Sequence, residues 1–296
     1  MSPTLHPVFR PGATALITGA ASGIGLATAQ FCRTHGMNLV LVDNNKEALE
    51  TAASTIPATS TSSTPTTTTH HIDVSNPSDW QSLYSSITPT HPQGIDLLFL
   101  NAGTMVQPTE GKTTWTDPTY FQRALAVNTL GYTNGIATFI DDITRGSDTV
   151  PRAIILTGSK QGITNPPGDP AYNASKAAVK SIAEQLSYSL YEKHPNVSVH
   201  LLVPGFTYTG MIRRHFKEKP NGAWLPEQVV EYLSQGMAEG KFYIICPDNE
   251  VTEELDKKRM MWSCGDMVNR RPALTRWRAD WKERAAKGIE EMKVGE

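Results

Sequence analysis

The chain has few cysteines, no long apolar run and almost no net charge, and each shortage argues against a class of protein. Its 296 residues include three widely spaced cysteines, Cys32, Cys246 and Cys264, so a structural disulfide or a zinc site is not expected. A formal net charge of −2 gives no field that would attract nucleic acid or an acidic membrane surface. No run approaches the ~18 apolar residues of a membrane span, and the start, MSPTLHPVFRPG, lacks a signal-peptide pattern. We therefore expect a cytoplasmic protein with no metal, no nucleic-acid partner and no membrane partner.

The chain does contain a regular alternation of short apolar runs with longer amphipathic segments. The runs are nearly continuous in Val, Ile and Leu, which is typical of strands buried on both faces. The segments between them have apolar residues at helical spacing, as in GIGLATAQFCRTHG at 23–36. This order predicts an α/β fold of the Rossmann-type, doubly wound class, with a seven-stranded parallel sheet and helices on both faces. The apolar runs lie at 13–19, 37–43, 70–74, 95–103, 153–159, 197–205 and 241–247.

Three segments depart from this alternation. Residues 54–71 form a Ser/Thr/Pro tract with too little apolar content to pack, which predicts an exposed, mobile loop. Residues 206–240 form a long stretch before the last strand, and residues 250–296 continue beyond it with three tryptophans among many Arg and Lys residues. Because acidic residues are interspersed, we expect this C-terminal extension to pack on the body or on another subunit. No linker separates domains, so we expect one domain over 1–296 with its core at about 10–248.

A glycine-rich segment, TGAASGIG at 18–25, lies between the first apolar run and the first helical segment. Glycines there permit a tight turn, a close approach of backbone to a pyrophosphate, and close packing of helix on strand. Free N–H groups at the start of the helix favour a bound phosphate. The segment therefore predicts a dinucleotide site, with a simple tight turn as the alternative.

An acidic residue, Asp43, ends the second apolar run, about 20 residues beyond the glycine loop. A carboxylate at that place can accept hydrogen bonds from the 2′ and 3′ hydroxyls of the adenosine ribose. It would repel a 2′-phosphate, and the first basic residue after it is Lys46. We therefore expect NAD in preference to NADP, with a solvated aspartate at a strand end as the alternative.

A tyrosine and a lysine stand four residues apart in AYNASKAAVK at 171–180, so a helix would place Tyr172 and Lys176 on one face. Taken alone, this spacing is typical of an ordinary helix face. Hydride transfer at a carbinol carbon requires a proton to move at the adjacent oxygen, and a free tyrosine with a pKa of about 10 is a poor base at neutral pH. A nearby ammonium favours the phenolate, so Lys176 would bring the pKa of Tyr172 toward the working range.

Six ordered motifs make the chain resemble the short-chain dehydrogenase/reductase family, in its single-domain form, over residues 10–248. Two departures are Gly158, where the family usually has a small hydroxyl residue, and Leu100, where asparagine is commoner. The matching motifs are T-G-x-x-x-G-x-G at 18–25, Asn-Ala-Gly at 101–103, the asparagine of LAVN at 128, a serine and glycine at 159 and 162, tyrosine at 172, and Pro-Gly-x-x-x-Thr at 204–209.

The resemblance implies an NAD-dependent oxidoreductase that interconverts a secondary alcohol and a ketone by hydride transfer. Tyr172 would be the general acid/base, and Lys176 would assist it and hold the nicotinamide ribose. Ser159 would orient the substrate oxygen, and Asn128 would anchor a water that relays the proton. The cofactor would lie beyond the carboxyl ends of the strands, against Gly19, Ser22, Gly23, Ile24, Gly25, Asp43, Asn44, Asp73, Val74, Asn101, Ala102, Gly103, Tyr172, Lys176, Pro204, Gly205, Thr207 and Thr209.

The family places its substrate lid at about 206–240, where aromatic and methionine side chains would suit a hydrophobic or aromatic substrate. Lys160 is expected to be a solvated surface lysine, with a bias toward anionic or polar substrates as the alternative. The family is usually dimeric or tetrameric through the helices that bear Asn128 and Tyr172, so a homodimer or homotetramer is implied. The competing hypothesis is a catalytically idle NAD-binding sensor or scaffold of the same fold. The predicted substrate wall consists of Met105, Gln161, Phe206, Tyr208, Met211 and Trp224.

Overall fold

A computed structural model describes residues 5–57, 65–146, 149–213 and 216–294. Within these ranges, seven parallel strands form one sheet in the order β3-β2-β1-β4-β5-β6-β7, and helices cover both faces of the sheet. The predicted doubly wound α/β fold is confirmed. The strands are β1 Thr14–Thr18, β2 Asn38–Asp43, β3 Thr67–His71, β4 Leu97–Leu100, β5 Arg152–Thr157, β6 Val197–Val203 and β7 Tyr243–Ile245.

The helices divide into those that cover the sheet and those that follow it. The long helical segment predicted around Asn128 is interrupted by a π-helical turn at Ala126–Leu130. Short 3-10 turns occur at Thr275–Trp277 and Ala279–Trp281. The helices are α1 Gly23–Thr34, α2 Lys46–Ser54, α3 Pro77–Ile87, α4 Tyr120–Leu125, α5 Gly131–Thr144, α6 Gln161–Thr164, α7 Pro170–Leu190, α8 Gly210–Arg213, α9 Pro226–Ala238, α10 Glu253–Val268 and α11 Lys282–Glu291.

Two apolar layers hold the helices against the sheet. On one face, α1, α2 and α9 bury side chains such as Ile24, Leu49 and Leu233 against the strands. On the other face, α3, α5 and α7 bury side chains such as Trp80 and Phe139. Each layer removes apolar surface from water, which is the main favourable contribution to folding. The sheet is therefore a rigid platform whose carboxyl edge carries the loops described below.

The third strand corrects two sequence expectations. It was expected at 70–74, after a loop over 54–71, but the structure extends α2 to Ser54 and forms β3 at Thr67–His71. β3 pairs in parallel with β2, so an edge strand of threonines forms through backbone hydrogen bonds although its side chains are largely solvent-facing. The guanidinium of Arg33 donates to the carbonyl of Thr66 at 2.8 Å and helps to fix the start of the strand. The rest of the tract, residues 58–64, lies outside the described residues.

The C-terminal extension has a small apolar core of its own. Trp262 of α10 packs with Ala285 and Ile289 of α11. Its indole N–H donates to the Thr275 hydroxyl at 2.9 Å, and the Arg271 guanidinium lies 4.1 Å from the centre of its ring. The extension is thus a folded unit, and α10 reaches the body of the protein near α6.

In the described ranges, no helix is long and apolar enough to cross a membrane. The same part of the chain contains no group of three or more His, Cys, Asp or Glu side chains that could hold a metal ion. The three cysteines are free thiols, of which Cys32 and Cys246 are buried and Cys264 is exposed.

Candidate active site

The candidate site lies where the order of the sheet reverses. After β1 the chain builds β2 and β3 on one side, and it then returns to place β4 on the other side of β1. In open α/β sheets this arrangement opens a crevice beyond the carboxyl ends of the strands. The glycine loop, Asp43, residues 101–103, Ser159 and residues 204–205 all follow strand ends, so the topology brings these predicted positions to one edge.

The glycine loop requires its glycines at three positions. Gly19 and Gly23 have φ angles of 66° and 55°, a left-handed conformation that other residues adopt only with strain. A Cβ on Gly25 would collide with the carbonyl oxygen of Gly19. Ser22 precedes α1 without capping it through its side chain, so its hydroxyl does not occupy the N–H groups of the first turn. The loop is therefore closed tightly and offers the start of α1 to an anion.

The Thr18 hydroxyl joins the ends of two central strands. It accepts the N–H groups of Asn101 and Ala102 at 2.9 and 3.0 Å, and donates to the Phe99 carbonyl at 3.3 Å. The Asn101 amide donates to the Thr18 carbonyl at 3.2 Å. Sequence reasoning gave Thr18 no role beyond its motif. The sequence feature that could have indicated this role is a hydroxyl residue at the last position of a buried strand.

The Asp43 carboxylate lies against the glycine loop. Its two oxygens accept the backbone N–H groups of Ala21 at 3.1 Å and Asn45 at 3.0 Å, which fixes the carboxylate at the end of β2. Asn44 is the next residue, and its carbonyl contacts the His71 ring at 3.1 Å. The orientation suits a carboxylate that accepts further hydrogen bonds from a ligand beside the loop.

The segment after β3 presents a polar residue and a packed apolar one. Asp73 is exposed, and its carboxylate accepts the Ser75 N–H and hydroxyl at 2.9 and 2.7 Å. Val74 is buried, and a Cβ on Gly131 of α5 would lie 2.9 Å from its side chain. Asp73 is thus free to face a ligand on one side, while Val74 holds the loop on the helix.

Helix α7 places the tyrosine and the lysine on one face, as expected. Asp169 caps the helix by accepting the N–H of Tyr172 at 3.1 Å, and Pro170 occupies the first turn, where its missing N–H costs nothing. The Ser159 hydroxyl lies near enough to the Tyr172 phenol to oppose the rise in the pKa of the phenol that burial causes. Ser159 Oγ accepts the Gln161 N–H at 3.2 Å. Two of the predicted catalytic groups are therefore neighbours in the site.

The electrostatics of the pair differ from the simple expectation. Burial raises the pKa of Tyr172, the nearby Ser159 hydroxyl opposes that rise, and the negative charge of Asp169 adds to it. Burial also lowers the pKa of Lys176 to about 7, and Nζ lies 5.9 Å from the centre of the Tyr172 ring. In this structure the desolvation of both groups outweighs the attraction that would favour a phenolate.

Lys176 is held by two groups that sequence reasoning did not include. Its Nζ donates to the Thr157 carbonyl at 2.8 Å and to the Tyr132 hydroxyl at 3.3 Å, and it lies 5.1 Å from the centre of the Tyr132 ring. Tyr132 is fully buried on α5. Its role could have been predicted from its position four residues after Asn128, because this spacing puts both side chains on one side of a helical segment.

Asn128 lies in the π-helical turn and is completely buried. Its amide nitrogen donates to the Thr104 carbonyl at 2.9 Å and to the Ser175 hydroxyl at 3.0 Å, and its Oδ1 accepts the Thr104 N–H at 2.7 Å. The side chain therefore clamps the segment after Gly103 onto α7. Both hydrogens of the Asn128 amide are already engaged. The proton-relay water that the family resemblance implies would therefore have to donate a hydrogen bond to an oxygen of this residue.

The start of the lid packs against the glycine loop. A Cβ on Gly23 would lie 3.1 Å from the Thr209 side chain. Thr207 is buried and its hydroxyl donates to the Gly205 carbonyl at 3.0 Å. A Cβ on Gly205 would lie 2.8 Å from the Pro247 carbonyl oxygen. Of the predicted positions after β6, Thr209 thus lies against the glycine loop, whereas the Thr207 hydroxyl is already engaged.

The structure separates the predicted substrate residues into two sets. Trp224 packs against Tyr232, with ring centres 5.9 Å apart, in the apolar layer of α1 and α9. Part of its surface is therefore taken up by that layer. Tyr208 is buried, and its hydroxyl donates to the carbonyls of Phe216 and Lys217 at 3.2 and 2.9 Å, so it braces the lid. The half-buried candidates are Met105, Gln161, Phe206, Met211 and Trp224.

Lys160 is neither a solvated surface lysine nor a free cation for an anionic substrate. Its Nζ lies 2.5 Å from the Asp256 carboxylate and 3.5 Å from that of Asp248. Two negative charges neutralise the ammonium, so both sequence interpretations of this residue are wrong. Asp256 lies in the C-terminal extension, about a hundred positions away along the chain, which is why spacing gave no sign of the contact.

Comparison with known proteins agrees with this architecture. A family model described as short chain dehydrogenase matches residues 13–220, and the chain belongs to this family of oxidoreductases. It is 28% identical to the 3-ketodihydrosphingosine reductase of Mus musculus, covering 80% of this chain and 71% of the relative. It is 26% identical to the 15-hydroxyprostaglandin dehydrogenase [NAD(+)] of Rattus norvegicus, covering 82% and 85%.

A solved structure extends the similarity to the whole sheet. The crystal structure of a short chain dehydrogenase/reductase from Burkholderia phymatum in complex with NAD superposes with a TM-score of 0.74. The two chains are 25% identical, and the match covers 88% of this chain and 96% of the other. The family and the fold expected from the sequence motifs are therefore confirmed.

Proposed function

We propose that the protein is an NAD-dependent oxidoreductase that interconverts a secondary alcohol and a ketone. The observation that carries the proposal is the grouping of Ser159, Tyr172 and Lys176 at the crevice where the glycine loop opens, with Lys176 Nζ 5.9 Å from the centre of the Tyr172 ring. The names of two relatives refer to a keto compound that is reduced and a hydroxy compound that is dehydrogenated. In both kinds of reaction a hydride is exchanged at one carbon, and a proton is exchanged at the oxygen bonded to that carbon.

The residues present fit a nicotinamide dinucleotide. The glycine loop and the start of α1 would hold the pyrophosphate, and Asp43, fixed by the N–H groups of Ala21 and Asn45, would hold the adenosine ribose. Lys176 has an Nζ that can turn from the Thr157 carbonyl and the Tyr132 hydroxyl toward ribose hydroxyls. When bound, the dinucleotide supplies the hydride acceptor or donor.

Tyr172 would exchange the proton of the substrate oxygen. In the oxidation direction, the phenolate accepts the hydroxyl proton as the carbinol hydride leaves; in reduction, the phenol donates that proton to the developing alkoxide. Ser159 would donate a hydrogen bond to the substrate oxygen and stabilise charge that develops on it. Because burial raises the pKa of Tyr172, the reaction needs added positive charge near the phenol, and Lys176 is the group of this chain placed to supply it.

The substrate class is inferred from the side chains near the lid. Phe206 packs with Phe216, with ring centres 6.3 Å apart, and Met105 and Met211 are half-buried. Apolar side chains of this kind favour a hydrophobic or aromatic substrate, because the apolar surface of the ligand leaves water on binding. Lys160 does not offer a free positive charge to a substrate, because its ammonium is paired with Asp248 and Asp256.

The proposal can be tested with a panel of hydrophobic secondary alcohols and ketones. The alcohols are assayed with NAD and NADP, and the ketones with NADH and NADPH. We expect turnover, read from the absorbance of the reduced nicotinamide, with kcat/KM for NAD at least about tenfold above that for NADP. The Asp43 carboxylate would repel a 2′-phosphate, and the first Lys or Arg after it in the chain, Lys46, lies 4.0 Å from Glu50. Asp43→Ser should lower this preference by about tenfold, a change of ~1.4 kcal/mol.

The control for that variant is Glu47→Gln, which removes an exposed negative charge from the first turn of α2 and should leave the cofactor preference unchanged. A preference for NADP in the native protein would contradict the role of Asp43. Absence of turnover across the panel, with NAD still bound, would instead favour the idle NAD-binding sensor or scaffold.

We further propose a homodimer or homotetramer that pairs the faces of α5 and α7. A mainly apolar groove of about 390 Å³ lies between these helices and is lined by residues that include Ile136, Ala137, Ile182 and Leu186. The neighbouring Tyr188 side chain on α7 is 73% exposed, and apolar surface of this kind is typical of a protein interface.

Light scattering coupled to size exclusion tests this assembly. We expect a mass of two or four chains for the native protein and a smaller species for Ala137→Arg, because the new charge would be buried between copies. Thr51→Arg on the exposed face of α2 is the matched control and should keep the native mass. A native protein that elutes as a monomer at all concentrations would contradict the proposal.

A further inference from the structure

Lys160 directly follows Ser159, and its ammonium lies between two carboxylates that are shielded from solvent. Nζ is 2.5 Å from Asp256 Oδ2 and 3.5 Å from Asp248 Oδ2. The side-chain exposures are 17% for Lys160, 6% for Asp256 and 7% for Asp248. Charges buried to this extent are costly unless they are paired, and removal of one partner leaves the other uncompensated. The contact is therefore well suited to hold its partners in one arrangement.

Asp248 connects the same contact to the lid. Its Oδ2 accepts the Phe206 N–H at 3.1 Å, and its Oδ1 accepts the Val251 N–H at 2.9 Å. A Cβ on Gly205 would lie 2.9 Å from Asp248 Oδ2, so the backbone passes very close to the carboxylate. One side chain thus joins the start of the lid, the start of the extension and the Lys160 ammonium.

The segment that Lys160 belongs to has little stability of its own. Helix α6 is four residues long, and helices this short do not persist without tertiary contacts. Gly162 packs on α7, where a Cβ would lie 2.5 Å from the Lys176 carbonyl carbon. A shift of this segment would therefore change the distance between Ser159 and Tyr172, which α7 carries.

Asp256, by contrast, stands on a well-braced helix. α10 is sixteen residues long, and the Thr252 hydroxyl caps it by accepting the Leu255 N–H. The Trp262 side chain anchors the helix in the core of the extension. This part of the chain lies beyond the 13–220 match to the family model.

We propose that Lys160 and Asp256 are positioning residues through which the C-terminal extension holds the Ser159 segment against Tyr172. The inference rests on the proposed function, in which Ser159 and Tyr172 act on the substrate oxygen. The ion pair touches no reacting atom. It sets the place of the serine hydroxyl, so its loss lowers the rate of the chemical step while the cofactor site stays intact.

The kinetic test compares Asp256→Asn, Lys160→Gln and the double variant with Glu253→Gln. Glu253 lies on the same helix in an exposed pair with Lys257, so its variant is a matched loss of one negative charge. We expect kcat to fall between about ten- and a hundredfold in both single variants, with NAD affinity and the control unchanged. The double variant should be no slower than the single variants, and Lys160→Arg should retain most of the native kcat.

Hydrogen–deuterium exchange gives a readout that does not depend on turnover. We expect faster exchange in the peptide spanning residues 157–164 of Asp256→Asn than of the native protein or Glu253→Gln, with α1 unchanged. Faster exchange throughout the chain, or no change at 157–164, would overturn the inference. A native protein that turns over nothing in the substrate panel would defeat the proposed function alone, because the exchange comparison would still decide the positioning role.

Discussion

Tyr172→Phe is expected to lower turnover of the preferred substrate by about 10²–10⁴-fold, the usual contribution of a general acid/base. The variant keeps the ring, and with it the packing of α7, but removes the hydroxyl that lies near Ser159. NAD affinity should stay within about twofold of the native value, since the loss falls on an interaction made during the reaction. Steady-state kinetics and a cofactor titration measure the two quantities separately.

The matched control is Tyr188→Phe on the same helix. Tyr188 is exposed, so removal of its hydroxyl should leave both turnover and NAD affinity unchanged. Native turnover in Tyr172→Phe would contradict the proposed mechanism, and equal losses in both tyrosine variants would point to damage to α7 instead.

Gly25→Ala is expected to lower NAD affinity by about a hundredfold, which corresponds to ~3 kcal/mol. The new methyl group would meet the Gly19 carbonyl oxygen, and it would also lie 2.9 Å from the Asn101 amide nitrogen. Neither neighbour can withdraw, because Asn101 is hydrogen-bonded to Thr18. The loop would open, and its N–H groups would no longer converge on a pyrophosphate. Calorimetric titration with NAD measures the loss.

Gly240→Ala serves as the control for this substitution. Gly240 has a φ of 69° and no atom within 4 Å of a Cβ placed there, so the variant adds backbone strain of ~1–2 kcal/mol without a collision. It should unfold at a lower temperature than the native protein yet bind NAD normally. Normal NAD affinity in Gly25→Ala would show that the dinucleotide does not lie on this loop.

The central part of the fold could be predicted because its strands are buried on both faces. β4, with the sequence LLFL, is completely buried, and such runs alternate with helical spacing in a pattern that few architectures satisfy. The edge strand β3 was placed too late because it contains only threonine and histidine. Its position depends on backbone pairing with β2 and on the Arg33 side chain, and neither is visible as a hydrophobic period.

In the candidate site, too, some features could be predicted from the sequence and others could not. The shared face of Tyr172 and Lys176 follows from helical spacing, and their proposed roles follow from the surrounding family motifs. The glycine loop follows from the conformations that it needs. The environment of Lys160 could not be predicted, because its partner Asp256 comes from a distant helix. The packing of Trp224 against Tyr232 could not be predicted either, because it joins the lid to the distant face of α9. Tertiary contacts of this kind cannot be predicted from the spacing of residues along the chain.

The most direct test of the account follows the hydride itself. A secondary alcohol that the protein oxidises is prepared with deuterium on the carbinol carbon, and the reduced cofactor is analysed by mass spectrometry after a single turnover. The account predicts deuterium in the nicotinamide with the native protein and, in the same time and at equal NAD occupancy, at most about a hundredth of that label with Tyr172→Phe. Reduced cofactor without deuterium, or equal labelling by Tyr172→Phe in the same time, would contradict it.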